Sequence, residues 1–346
     1  MDIKAFLTRA CVLPGISGHE GAVADHIAGA FRPLSAEVTI DALFDVIARV
    51  GEKGPRIMVT AHHDEIGLMV LAIEKDGALR FTEVGGVDGR ILPAMPVTVH
   101  TMAGALPGVI GAKPPHLLSG EDRKKAVRMK DLFIDLGLPP EEVRALVRPG
   151  DPVTLTGDLI LLEEGRLAAK TLDDRACVAC MLVAAQHLKE MRVDARVYFV
   201  SASQEETHSQ GAIVTGCALD PDMAIAIDVA HGPAPGAAED ETCPLDIPTL
   251  TLGPFMHPVL TNRLRETAKQ NGIPLTIEVS PGKTYTDADY TGISRAGVPS
   301  LLIGVPVKYM HTTVEMLSEQ VIRDAGRLVA LFIRDISREW EAIQWN

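Results

Sequence analysis

"TAHHDEIGLMV", residues 60–70, follows the apolar run Ile57-Met58-Val59. Two histidines and two acids, His62, His63, Asp64 and Glu65, stand where a buried strand is ending. Such residues either cap a loop or supply part of a metal site completed from elsewhere in the chain. The choice turns on what stands at the ends of the other strands.

Three further apolar runs read as buried strands: Arg196–Ala202, Met223–Val229 and Ser300–Val305, beside Arg56–Thr60 itself. Helical periodicity covers Glu20–Phe31, Asp174–Leu188, Pro258–Asn271 and Ser318–Ile333. Ser17 with Glu20 fits a capping box before the first of these. Alternating strands and helices predict an α/β fold with a mixed, mostly parallel sheet flanked by helices. The stretch from about 68 to 163 differs. Short β-like runs alternate there with turn signals such as "EKDGALR", "EVGGVDGR" and "LTGDLI", and one helical segment, Glu121 to Leu136, interrupts them. The expectation is a small β-barrel-like domain, residues 68–163, inserted into an α/β domain formed by residues 1–67 and 164–346.

The bulk numbers narrow the function. A chain of 346 residues that is 47% hydrophobic and 4% aromatic has ample core for two soluble domains. A formal net charge of −13 leaves no basic stripe for nucleic acid, and the longest basic cluster, Arg123-Lys124-Lys125, is flanked by acids. No segment offers about 18 uncharged apolar residues, so no membrane partner is expected. The opening stretch, MDIKAFLTRACVLPG, is broken by Arg9 and Pro14 and lacks the apolar region of a signal peptide. Five scattered cysteines argue for a reducing compartment rather than a disulfide framework, and the expected location is the cytoplasm.

Acids and histidines then recur at the predicted strand ends. The run to Ala202 leads into Glu205 and Glu206. Met223–Ile227 leads into Asp228, and Leu301–Ile303 is followed by "GVPVKYMH", reaching His311. The helix after the inserted segment opens with "TLDDR", Asp173 and Asp174. Sites in open α/β sheets form beyond the carboxyl ends of strands, so these clusters converge on one place. Imidazole nitrogen and carboxylate oxygen are ligands for zinc-like divalent ions, and a pair of ions about 4 Å apart needs a bridging carboxylate. Each cluster alone has a plainer account: Asp173-Asp174 as acids at a helix N-terminus, Glu205-Glu206 as a solvated loop, His62-His63 as a loop pair. Asp228, directly after "MAIAI", is harder to dismiss, because a charge beside a buried strand needs a partner.

"AHHDEIGLMV", "GVIGAKPPHLL", "DLFIDLG", "TLDDRACVAC", "SASQEE" and "KYMHTTVE" occur in the order seen in tetrahedral, or glutamyl-type, aminopeptidases. These are dinuclear-metal exopeptidases, some of whose members carry the name endoglucanase. The chain resembles that family from "GISGHE" to "VEM". The resemblance implies that His62, Asp173, Glu206, Asp228 and His311 are metal ligands, with Asp173 the bridge and a cis bond after it. It implies Asp64 as the residue orienting His62, Glu205 as general base, and His63 as a bystander. The implied cofactors are two divalent metal ions per subunit, zinc first, cobalt or manganese as alternatives. The implied reaction removes the N-terminal residue of a peptide with a free N-terminus, through a water shared by the two ions. The implied assembly is a homo-oligomer, a dimer or a tetrahedral dodecamer built on the inserted domain.

The sequence departs from the family at Thr207-His208-Ser209-Gln210, at Lys308 where an arginine is usual, and at Thr312-Thr313. These positions bear on substrate preference. Asp287 in "YTDADY" either lines the pocket or makes a loop turn, and His116 has no role that the residues dictate. Cys177 and Cys180, one helical turn apart, read as packing, since no second pair completes a zinc site. His208, His231 and His257 read as surface or loop residues. Two other functions fit the acids less well. One is a related dinuclear amidohydrolase of deacetylase or carboxypeptidase type. The other is a glycoside hydrolase, disfavoured because both tryptophans, Trp340 and Trp345, lie outside the motifs.

Overall fold

The computed structural model describes residues 1–121 and 127–345. Helices α1 (Ile3–Ala10) and α2 (Gly21–Phe31) open the chain, followed by strands β1 (Glu37–Ile40), β2 (Val46–Val50) and β3 (Arg56–His62). The chain then leaves for β4 (Gly67–Ile73), β5 (Leu79–Val84), β6 (Pro96–Thr101), β7 (Gly104–Ala112), β8 (Leu132–Asp135), α3 (Pro140–Leu146) and β9 (Pro152–Leu155). Strands β10 (Ile160–Leu161) and β11 (Arg166–Ala169) lead back into α4 (Leu172–Glu190). After it come β12 (Arg196–Ala202), α5 (Glu205–His208), α6 (Gln210–Leu219), β13 (Met223–His231) and β14 (Thr249–Leu252). The chain closes with α7 (Pro258–Gln270), β15 (Thr276–Val279), α8 (Asp287–Thr291), β16 (Ser300–Val307), β17 (Glu315–Ser318) and α9 (Glu319–Arg338).

Eight strands form the main sheet in the order β1-β2-β12-β3-β13-β16-β14-β15. Its centre is parallel: β12 with β3, β3 with β13, and β13 with β16. These four strands are the four apolar runs of the sequence. They are apolar on both faces because helices cover both faces, which removes the alternation of a half-exposed strand. Helix α4 is buried from Leu172 to Ala185. It packs against α9, where a Cβ on Gly326 would come within 2.6 Å of the Cys180 carbonyl oxygen. Gly326 thus sets the close approach of the two backbones, and Cys177 and Cys180 are buried, unbridged core residues on that helix.

The register of the central strands positions the site. Ala202 pairs with His62, and Ala226 pairs with Thr60, so His62 and Asp228 arrive level at one edge of the sheet. Between β3 and β10, six strands close an antiparallel barrel in the order β4-β5-β8-β7-β6-β9, filled by Leu68, Leu79, Val99, Ile134 and Val153. The helix expected over Glu121 to Leu136 is reduced, in its described part, to a single 3₁₀ turn at Met129–Asp131. Leu132–Asp135 is strand β8, with Ile134 opposite Ile110 on β7. Its buried Leu132 and Ile134 alternate with the half-buried Phe133 and the exposed Asp135, a period of two that four residues are too few to announce. Residues 122–126 of that expectation lie outside the described residues. Among the described residues no helix is long and apolar enough to cross a membrane.

Candidate active site

His62 ends β3 with its ring buried. Its Nε2 lies 3.1 Å from Asp173 Oδ1, and its Nδ1 lies 3.2 Å from Asp64 Oδ1, off the angle of a straight hydrogen bond. Asp173, at the start of α4, turns its other oxygen to the second histidine: His311 Nε2 is 3.4 Å from Asp173 Oδ2 and 3.5 Å from Glu206 Oε1. His311 donates its Nδ1–H to the carbonyl of Gly86, at 2.9 Å, in the segment between β5 and β6. Asp228 in β13 offers an oxygen within 4.8 Å of donor atoms on His62 and Asp174. Glu205 Oε2 lies 3.8 Å from His62 Nε2, and the Ser209 hydroxyl donates to its Oε1 at 3.3 Å. His62, Asp173, Glu205, Glu206, Asp228 and His311 thus line one cleft, with Asp64 buried behind it. The Asp173–Asp174 peptide bond is cis.

Asp64 is the hub that ties two strand ends together. Its carboxylate accepts the backbone N–H groups of Glu205 (3.0 Å) and Glu206 (3.2 Å) and the Ser17 hydroxyl at 2.6 Å. Ser17 therefore does not cap α2, as its spacing to Glu20 suggests. The helix starts at Gly21 without a side-chain cap, and the hydroxyl goes to a carboxylate 47 residues away. His63 points elsewhere: its Nδ1 lies 2.9 Å from the Ser201 hydroxyl, and burial pushes its pKa down to about 3.

Sequence reasoning left three contributors without a role in the site. Glu315, buried at the start of β17, accepts the N–H of Asp173 on one oxygen and the N–H of His311 on the other, both at 2.9 Å. It stands in the quoted "KYMHTTVE", but only the fold brings Asp173 to it. Asp174 accepts the N–H of His62 at 3.1 Å, while its Oδ1 is buried without a hydrogen-bond partner. Glu65 does more than cap a loop. It is buried, pairs with Lys170, and lies 3.4 Å from Arg175, whose guanidinium also binds the carbonyls of Ala10, Leu13 and His63.

The electrostatics of this cluster ask for positive charge. Burial, with the neighbouring Asp228, Asp287 and Asp64 carboxylates, pushes Glu205 up to about 10. Burial and Asp173 push Glu206 up to about 8. Burial and their neighbours also hold Asp174 and Asp228 well above the usual carboxylate range. Against its own burial, His311 is raised to about 10 by Asp173 and Glu206. Cations placed between the acids relieve this repulsion. The spacing fits them too. Donor atoms on a tetrahedral ion bound at about 2.0–2.1 Å are roughly 3.3 Å apart, close to the 3.1–3.5 Å separations around Asp173. The donor set is imidazole and carboxylate, which suits zinc and related divalent ions. The orphaned Asp174 Oδ1, beside His62 and Asp228, fits the same requirement.

The cleft around the cluster encloses about 550 Å³, and Thr207, His208, Ser209, His231, Thr284, Tyr285, Thr286 and Tyr290 are among its walls. Asp287 does not line it; its buried carboxylate accepts the Thr60 hydroxyl at 3.0 Å. Asp289 shapes the wall instead, accepting the N–H groups of Thr284 and Tyr285. Lys308 is half-buried and its backbone bridges to Met316, while His116 is exposed on a short turn and is not among the cleft's lining residues.

Similarity to known proteins puts this chain, with its mixed sheet, closed barrel and gathered acids and histidines, among the peptidases of the aminopeptidase class. More narrowly, the chain belongs to the M42 glutamyl aminopeptidase family, which it matches over residues 45–328. It is 34% identical over 328 residues to the lysyl aminopeptidase of Pyrococcus furiosus, covering 93% of this chain and 94% of that one. Among solved structures it is similar to a TET aminopeptidase from a marine sediment Thaumarchaeota archaeon, at a TM-score of 0.92 and 31% identity, with 97% of each chain covered. It is also similar to the TET1 peptidase of Pyrococcus horikoshii, described as assembling into a tetrahedron or a large octahedral shell. That match has a TM-score of 0.83 and 30% identity, and covers 96% of this chain and 99% of that one.

Proposed function

We propose that the protein is a metal-dependent aminopeptidase that removes the N-terminal residue of peptides using two divalent ions. The observation that carries this is Asp173, a single carboxylate that turns one oxygen to His62 and the other to His311. In this reading His62 and Asp228 hold one ion, His311 and Glu206 hold the other, and Asp173 is common to both. Bound ions of this kind polarise a carbonyl and lower the pKa of water. Glu205, restrained by Ser209, takes a proton from the attacking water and delivers it to the departing amine. Asp64 and Glu315 are buried and are not among the cleft's lining residues. Asp64 orients the His62 ring, and Glu315 fixes the backbone at Asp173 and His311. Zinc suits the donors best, with cobalt and manganese as substitutes.

Residues 1–67 and 164–346 form the catalytic domain in this account, and residues 68–163 form an inserted oligomerisation domain. The dodecamer and the tetrahedral shell described for the Pyrococcus horikoshii relative support a homo-oligomer here, a dimer or a tetrahedral dodecamer. Met102 and Val109, exposed on the barrel, offer apolar surface for such contacts. Chelation, reconstitution with zinc or cobalt, and a panel of free and N-acetylated aminoacyl-p-nitroanilides test the reading. Hydrolysis is expected to need both metal and a free α-amine. Undiminished activity after chelation, or equal cleavage of N-acetylated substrates, would contradict it.

A further inference from the structure

We propose that Glu278 makes the cleft select peptides whose N-terminal side chain is basic, lysine or arginine; this rests on the aminopeptidase reading above. Glu278 lies on β15, the edge strand of the main sheet, and lines the same cleft as the acid–histidine cluster. It is the one acidic lining residue outside that cluster among the described residues. Glu278 is half-buried. The hydrogen bonds it accepts are long ones from the Thr249 and Thr251 hydroxyls, at 3.4 and 3.5 Å, and both go to Oε2. No ion pair to Glu278 forms among the described residues, so one oxygen is left for a ligand.

The rest of the wall offers little to an acid. No lysine or arginine lines the cleft among the described residues. The nearby cation, Lys283, lies 6.0 Å over the ring of Tyr290. His208 and His231 reach the cleft from exposed positions. A glutamyl side chain would therefore meet a carboxylate with no lysine or arginine to answer it. An apolar side chain would cover Glu278 and strip its water without replacing the lost bonds. A lysine ammonium or arginine guanidinium replaces them with a charge-assisted hydrogen bond, in a cleft partly closed to water.

The test uses the metal-loaded, full-length protein and the p-nitroanilides of lysine, norleucine and glutamate. Norleucine keeps the lysine carbon chain without its ammonium. The wild type is expected to favour lysine over norleucine by at least about tenfold in kcat/KM, with glutamate slowest. In Glu278→Gln the lysine-to-norleucine ratio should fall to near one, and in Glu278→Arg glutamate should gain on lysine. The ratio within one preparation is the readout, so a partly unfolded variant cannot imitate the result. A wild-type ratio at or below one, or a ratio unchanged in Glu278→Gln, overturns the assignment while leaving the aminopeptidase reading standing. If the wild type cleaves none of the three, that reading fails and this inference falls with it.

Discussion

In the proposed reading the two histidines of the cleft do the same kind of work in different surroundings. His62 ends a central strand, its side chain is 2% exposed, and a buried carboxylate, Asp64, stands behind it. His311 sits in a loop after β16, its side chain is 30% exposed, and a backbone carbonyl from the other side of the cleft, at Gly86, holds its far nitrogen. A negative partner strengthens an imidazole as a ligand more than a neutral carbonyl does, and a strand end moves less than a loop. One half of the site is therefore built into the core of the sheet. The other half is completed only when the barrel's β5–β6 segment is in place.

The largest effect should come from the residue common to both halves. Asp173→Ala is expected to abolish detectable hydrolysis, a loss of at least about four orders of magnitude, and to empty both ion positions. Loss of a single ion, read by elemental analysis, would show that the halves do not share it. Glu205→Gln should lower kcat by about 10²–10⁴-fold while leaving metal content intact, because it removes a proton carrier and no ligand. Metal loss in that variant would move Glu205 into the ligand set.

Two smaller changes probe how the halves are joined. Asp64→Asn should weaken metal affinity and activity by roughly 10–100-fold on both sides, because Asp64 stands behind His62 and also accepts the backbone N–H of Glu206. Gly86→Ala should act on the His311 side alone. A Cβ there would come within 2.9 Å of His311 Nδ1 and push the ring, without changing the carbonyl that holds it. A loss of about tenfold in affinity for one ion, with the other unmoved, is the expected result of a competitive chelator titration. Equal weakening of both ions by Gly86→Ala would erase the contrast between the halves.

Much of this was legible in the chain because it depends on local pattern. The four central strands show as apolar runs, since both their faces are covered, and His62, Glu205, Glu206, Asp228 and His311 follow runs of that kind. What could not be read depends on partners far apart in sequence. Ser17 has the spacing of a helix cap, yet its hydroxyl binds Asp64, because the segment before α2 packs across the end of β3. Glu315 looks like any acid after a loop until Asp173, 142 residues earlier, brings its N–H to it. Glu65 reads as an acid capping a loop until Lys170 and Arg175 close around it. Strand β8 is short, and its partner β7 decides what its residues become.

The central claim is that one aspartate serves two ions. Anomalous scattering from crystals of the zinc-loaded protein tests it most directly. The account predicts two peaks per chain on either side of the Asp173 carboxylate, one beside His62 and Asp228 and one beside His311 and Glu206. A single peak, or peaks that Asp173 does not reach, would contradict it.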